Sequence, residues 1–241
     1  MPRLTNIAVI PARGGSKRIV KKNIRTFHGK PIIYWAIREA LLSNLFDRII
    51  VSTDNEEIAQ ASESFGAEIP FIRPSNISDD STSVVEVIRH AIRYYHELNY
   101  YFEYATLIYP TAPFIHRIDI QKGLKNIREH DFCISVTRFS YPIQRALAMN
   151  PENGTVKMIN KENFLKRSQD FPARYHDAGQ FVLGKEKAWL NKTPMLGEST
   201  FPIFIPQNRV QDIDSEEDWK VAEEKFSFLL DKKSIEGKHN V

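Results

Sequence analysis

A chain of 241 residues with 42% hydrophobic content can bury one substantial core and does not require a second full domain. Lys and Arg total 33 against 30 for Asp and Glu, a formal charge of +3, which is too small to imply a nucleic-acid or membrane partner by itself. The lone cysteine, Cys133, excludes an intramolecular disulfide and a cysteine metal cage, and its apolar setting Phe132-Cys133-Ile134 reads as core.

The first twenty residues carry only a short apolar stretch, Ile7 to Ile10, followed by Pro11 and the cations Arg13, Lys17 and Arg18. That is not a signal-peptide layout, and no apolar run approaches the ~20 residues that span a bilayer, so a cytoplasmic protein is expected.

In chain order, strands are expected at Asn6–Pro11, Arg48–Ser52, Glu68–Ile72, Tyr104–Tyr109 and Phe132–Thr137. Segments of helical period alternate with them, the pattern of a mostly parallel sheet covered by helices. Pro31–Ser43 puts Ile33, Ile37, Ala40 and Leu41 on one face, with Pro31 suited to the first turn. Asp54-x-x-Glu57 and Ser83-x-x-Glu86 have capping-box spacing and predict two further helix starts, and a fourth helix is predicted over His116–Glu129.

The alternation stops after about Phe139. Pro142, a turn at Asn150 to Gly154 and the basic, aromatic run Lys161–Tyr175 read as an arm over about 140–175 inserted in a single domain of residues 1–241. The pattern returns with strands near Gly179–Gly184 and Pro202–Ile205 and a closing helix Ser215–Leu230, with fraying expected beyond Lys232. The predicted fold is a three-layer α/β/α, Rossmann-like, mostly parallel sheet.

The segment Pro11 to Asn23 follows the first strand, at the edge where open α/β sheets bind ligands. Gly14 and Gly15 let backbone N–H groups approach anionic oxygens, and Arg13, Lys17 and Lys22 supply charge for a triphosphate. The segment is neither a Walker A loop nor a G-x-G-x-x-G fingerprint. The competing reading is a solvated basic turn or a nucleic-acid patch, which would bind polyanions with steep salt dependence and no nucleotide preference. Asp212-Ile213-Asp214 places two carboxylates on one side of an extended segment, where they can hold a hard cation, or one of them can simply cap the helix that Ser215-x-x-Asp218 begins.

Ile10-Pro11-Ala12-Arg13-Gly14-Gly15-Ser16-Lys17 with Lys22-Asn23 resembles the opening motif of the CMP-sialic acid synthetases, or acylneuraminate cytidylyltransferases. Gly29-Lys30-Pro31, Val51-Ser52-Thr53-Asp54, Phe71-Ile72-Arg73-Pro74 and Pro110-Thr111-Ala112-Pro113 continue the resemblance in order, from about Asn6 to Leu230. It implies the nucleotide-diphospho-sugar transferase fold, CTP and an acidic nine-carbon sugar as substrates, Mg²⁺ (or Mn²⁺) at Asp212 and Asp214, and a homodimer completed by the arm. Ala12, Arg13, Gly14, Gly15, Ser16, Lys17, Lys22, Asn23, Arg73, Thr82 and Ser83 would bind nucleotide, with Arg13, Lys17, Lys22 and Asp212 in catalytic roles.

Tyr175-His176-Asp177-Ala178-Gly179-Gln180-Phe181 departs from the Arg-x-Asn-Gly-Ala pattern typical of sialic acid synthetases, and Tyr109 replaces a usual Gln. Both departures look like the pseudaminic acid cytidylyltransferase branch, with ketodeoxyoctulosonate and legionaminate enzymes as sister alternatives. Tyr109, Arg174, His176 and Gln180 are the candidate sugar contacts, Arg145 and Arg167 being further candidates for its carboxylate. No residue identifies itself as the general base.

Overall fold

A computed structural model describes the backbone of residues 5–237 and the side chains of residues 5–230. The elements are β1 (Asn6–Pro11), β2 (Thr26–Phe27), β3 (Lys30–Pro31), α1 (Ile32–Ser43), β4 (Arg48–Ser52), α2 (Glu56–Ser64), α3 (Val84–Glu97), β5 (Tyr104–Ile108) and α4 (Arg117–Asn126). They continue with β6 (Phe132–Arg138), β7 (Leu147–Met149), β8 (Val156–Met158), β9 (Tyr175–Lys185), α5 (Glu186–Leu190), β10 (Thr200–Phe204) and α6 (Glu216–Gly237).

Six strands form one sheet in the order β10-β6-β9-β5-β1-β4, parallel throughout except for β9, which is antiparallel to both neighbours. The two-residue alternation of β1 divides the core: Ala8 and Ile10 pack with Ala36, Ile37 and Ala40 of α1, whereas Ile7 and Val9 pack with Ile88, Ala91 and Ile92 of α3. A third cluster joins α6 to the β2–β3 turn, where Trp219 and Phe226 meet Phe27 edge-on at 5.6 and 5.2 Å. The predicted three-layer sheet is therefore present, with α6 as an added buttress.

Several expected elements differ in detail. Glu68–Ile72 is not a strand; it touches the sheet only through bridges at Ile50–Glu68 and Thr53–Ile72, because Pro70 between them has no N–H for a ladder bond. The cap of α2 is Asn55, whose Oδ1 accepts the Ile58 N–H at 3.1 Å, one residue beyond the predicted Asp54. Ser83 caps α3 as its spacing predicts, and Pro31 is the residue before α1 and not its first. α6 runs to Gly237, past Lys232, and residues 238–241 lie outside the described residues.

The arm lies between β6 and β9. The turn at Asn150–Gly154 joins β7 to β8, with Gly154 at φ +70° and Asn150 N–H bonded to Thr155 O at 2.8 Å. Within it Met149, Phe164 and Leu165 are 68, 66 and 89% exposed, whereas Tyr175 packs against Phe204 of β10 with ring centroids 5.0 Å apart. Cys133 is fully buried, and burial pushes its thiol up to about 12, consistent with a core residue.

Candidate active site

A two-lobed cleft opens at the carboxyl ends of β1, β4 and β5, where a doubly wound sheet binds its ligands. Tyr109 and Thr111, just after β5, line both lobes. The first lobe, about 300 Å³, is built from the basic loop, Arg73 and the segment Ile77–Thr82; the second, about 540 Å³, lies between the mouth of β9 and the Gln207–Asp212 segment.

The basic loop is anchored from several directions. Ala12, fully buried, donates its N–H to Ser52 O at 2.9 Å, extending the β1–β4 ladder. Gly14 donates to Asp54 Oδ1 at 2.8 Å, and a Cβ there would sit 2.9 Å from Cβ of Asn55, so close approach and not an unusual φ is what demands glycine. Gly15 has open space around it, and Ser16 N–H closes a turn onto Gly14 O at 2.9 Å. Buried Asn23 donates from Nδ2 to Arg13 O at 2.9 Å.

Two acidic segments engage the loop's cations. Asp80 pairs with both Arg13 and Lys17, which hold its carboxyl well below the usual range. The neighbouring Asp79 Oδ1 accepts from the backbone and hydroxyl of both Ser81 and Thr82, shaping the turn before α3. Asp214 pairs with Arg18 at 2.8 Å and Lys22 at 3.5 Å. A third segment adds Glu57, which pairs with Lys21 at 2.6 Å, so carboxylates from three segments offset the loop's positive charge.

Arg73 is 5% exposed, and its Nε and Nη2 have no hydrogen-bond partner among the described residues. Burial lowers its pKa, Asp54 at 3.8 Å opposes that shift, and the nearby Arg13 adds to it. A buried guanidinium with unmet donors is a site prepared for acceptor atoms of a ligand.

The second lobe owes its shape to an irregularity in β9. Ile134 pairs with Val182, but Val136 pairs with Asp177, so β9 has three more residues than β6 across this interval. Ser135 spans the gap, its Oγ accepting the Phe181 N–H and donating to Phe181 O, each at 3.1 Å. The extra length carries Asp177, Ala178 and Gly179 into the cleft, with Gly179 at φ +62° and its N–H donated to Asp177 Oδ1 at 2.7 Å. Asp177 is open on the cleft side yet surrounded by protein; burial raises its pKa, and Asp212 raises it further. The Tyr109 hydroxyl is pushed up to about 12 by burial and by the same two carboxylates.

Thus Arg13, Ser16, Lys17, Lys22, Asn23, Arg73 and Thr82 come together in the first lobe, and Tyr109, His176 and Asp212 in the second. Ser83 lies just behind as the α3 cap, and Gln180 is buried beneath, its Nε2 donating to Arg209 O at 2.5 Å. Asp212 and Asp214 flank buried Ile213, but Asp214 pairs with the loop cations Arg18 and Lys22 whereas Asp212 lines the second lobe. Ser215 and Asp218 cap α6 reciprocally, which leaves both aspartates free of that duty.

The arm's arginines are elsewhere: Arg174 lines a small depression at the arm's base, Arg145 donates to Ser168 Oγ at 3.3 Å, and Arg167 pairs with Asp170 at 3.0 Å. Arg138, at the end of β6, is the guanidinium that lines the second lobe. Arg138 and Asp80 carried no motif-level signal, and Arg18 and Asp177 lay inside quoted motifs without being singled out; their surroundings depend on pairings between distant segments. Among the described residues, no group of three or more His, Cys, Asp or Glu is arranged to hold a metal ion, and no helix is long and apolar enough to cross a membrane.

A family model described as Cytidylyltransferase matches residues 7–217. The chain is 38% identical over 221 residues to a pseudaminic acid cytidylyltransferase of Campylobacter jejuni, covering 91% of this chain and 95% of that one. It is 28% identical to the CMP-N,N'-diacetyllegionaminic acid synthase of Legionella pneumophila, covering 90 and 94%. Among solved structures it superposes on a CMP:2-keto-3-deoxy-manno-octonic acid synthetase complexed with CTP, with a TM-score of 0.66 at 16% identity, covering 92% of this chain and 98% of that one. Likeness at that identity establishes the shared α/β fold. With the family match spanning nearly the whole chain and a phosphate-ready loop at the expected sheet edge, the chain belongs to the cytidylyltransferase family and is a nucleotidyltransferase enzyme.

Proposed function

We propose that the enzyme transfers CMP from CTP to pseudaminic acid, releasing pyrophosphate. The observation that carries this reading is the two-lobed cleft: a cationic lobe for the nucleotide meets a second lobe whose entrance, His176-Asp177-Ala178-Gly179-Gln180, departs from the sialic acid pattern. The 38% identity to a pseudaminic acid cytidylyltransferase over 91% of the chain supports the same substrate.

In this reading Arg73 and the backbone near Thr82 take the cytosine edge, and Arg13, Lys17 and Lys22 take the triphosphate. The sugar's anomeric hydroxyl attacks the α-phosphorus from the Tyr109 side; the new O–P bond forms as the hydroxyl loses its proton, and pyrophosphate leaves with the electrons of the broken bond. Positioning and charge stabilisation by the loop supply most of the rate. Arg138 is placed to receive the sugar carboxylate within the same protomer.

Asp212 and Asp214 suit a Mg²⁺ ion, with Mn²⁺ as a substitute. The two would act as hard oxygen donors once Asp214 exchanges Arg18 and Lys22 for the ion, with phosphate oxygens of the nucleotide completing the shell. When bound, the ion would neutralise charge developing on the α-phosphate.

The exposed apolar side chains of the arm, Phe164 and Leu165 foremost, suit a homodimer interface. Light scattering should then give twice the 27.9 kDa chain mass, and a fully active monomer would refute the dimer. Pyrophosphate release from CTP, measured over a panel of pseudaminic, legionaminic, N-acetylneuraminic and ketodeoxyoctulosonic acids, should be fastest with pseudaminic acid. A faster rate with another acid reassigns the substrate.

A further inference from the structure

One carboxylate oxygen lies between the two subsites of the nucleotide lobe. Asp54 Oδ1 accepts the Gly14 N–H of the phosphate loop at 2.8 Å, and the same oxygen stands 3.8 Å from Nη2 of buried Arg73. The neighbours of Asp54 hold the same two partners: Thr53 O accepts the Arg73 N–H at 2.7 Å, and Asn55 fills the space a Gly14 side chain would need.

We propose that Asp54 is a positioning residue that makes recognition of the base by Arg73 depend on how the triphosphate seats in the Gly14 loop. The inference rests on the reading of the first lobe as the CTP site.

The physical argument starts from Arg73. A guanidinium this deeply buried, with two nitrogens unpartnered among the described residues, needs a counter-charge to offset the cost of its burial and to hold its orientation. Asp54 is the carboxylate whose field supports it, and Arg13 of the phosphate loop is the cation that opposes it. Both influences are set by the loop: Gly14 fixes the position of Oδ1, and Arg13 brings the repulsion. A triphosphate that takes Arg13 over from Asp80 and draws the Gly14 backbone toward it alters the field at Arg73 twice, by placing more negative charge beside Arg13 and by changing the hold on Asp54. Coupling between two sites is reciprocal, so a base bound correctly at Arg73 also favours the loop arrangement that grips phosphate. Seated phosphate thereby sharpens the choice of base, and a correct base tightens the grip on phosphate.

The readout is base selectivity. Dissociation constants for CTP, UTP and inorganic tripolyphosphate are measured by calorimetry with Mg²⁺ present and no sugar, for the wild type, Asp54→Asn and Gly14→Ala. The coupling predicts that Asp54→Asn lowers the CTP-over-UTP preference by about fivefold or more, the lower end of typical site-to-site coupling. It also predicts that Gly14→Ala, whose new methyl displaces the loop from Asn55 without touching the base subsite, lowers the preference in the same direction. Variants that weaken CTP and UTP by one common factor, with the ratio unchanged, overturn the coupling and leave Asp54 as a fold element. If Asp54→Asn does not fold, the Gly14→Ala ratio decides by itself. A wild type that shows no preference for CTP over UTP overturns the assignment of the lobe, and the coupling with it; a wild type that prefers CTP while both variants keep its ratio overturns the coupling alone.

Discussion

Lys22 donates from Nζ to the carbonyl of Ile213 at 2.5 Å, joining the phosphate loop to the segment between the two aspartates across 191 positions of sequence. The loop on β1 and the lead-in to α6 are thereby one assembly, reinforced by the pairs Arg18–Asp214 and Arg25–Glu216. Replacing Lys22 with alanine removes a cation that is 22% exposed together with its charge-assisted bond. Its kcat/KM for CTP should fall by at least about thirtyfold, corresponding to ~2 kcal/mol of transition-state stabilisation. Arg13→Ala and Lys17→Ala should lose comparable amounts, with unchanged circular dichroism. Steady-state kinetics giving near-normal kcat/KM in all three would remove the loop from the reaction.

Asp80 occupies Arg13 and Lys17, two of the three cations proposed for the triphosphate, so an incoming triphosphate must displace it. Asp80→Asn keeps the shape of the turn, which Asp79 builds, and removes the competing charge. The variant should bind pyrophosphate and CTP about threefold more tightly, with a correspondingly lower KM, because an exposed ion pair is a weak competitor. Product-inhibition measurements with pyrophosphate test this; weaker binding would mean that Asp80 orients the cations and does not compete for them.

With Mg²⁺ at Asp212 and Asp214, chelation should abolish turnover, and Mg²⁺ or Mn²⁺ should restore it. Asp212→Asn should raise the Mg²⁺ concentration for half-maximal activity by about tenfold or more, the scale of losing one charged oxygen donor. Titration of activity against free Mg²⁺ reads the difference, and an unchanged midpoint would release Asp212 from the metal.

Asp177 has its pKa raised, chiefly by burial and then by Asp212. A carboxyl that holds its proton more strongly when folded favours the native state at low pH and loses that advantage as pH rises through its folded pKa. Asp177→Asn should therefore have a higher Tm than the wild type at neutral pH, and the gap should close as pH falls below the ordinary carboxylate range. The asparagine oxygen can still accept the Gly179 N–H, so the turn survives. Thermal melts across pH that show a constant or inverted gap would contradict this ionisation behaviour.

Much of this protein was legible in local chemistry. Short continuous apolar runs located β1, β4, β5 and β6, Ser83 announced α3, and Pro11 to Asn23 stood out as a basic, glycine-containing loop, because buried strands, helix caps and tight turns depend on residues close in sequence. The family resemblance then supplied Arg73 and the two aspartates.

What the sequence by itself determined was thus the layered α/β fold, the family and a basic, glycine-containing loop at the sheet edge. Tertiary structure alone decided that β9 enters the sheet antiparallel with three extra residues that push Asp177 into the cleft, that Asp54 serves the loop and leaves the helix cap to Asn55, and that Arg138 and not Arg174 lines the second lobe. Each of these turns on which distant segment supplies a partner to a polar group. A carboxylate satisfied by its own helix and one satisfied by a loop 40 residues away have the same local sequence, and only the packed sheet sets them apart.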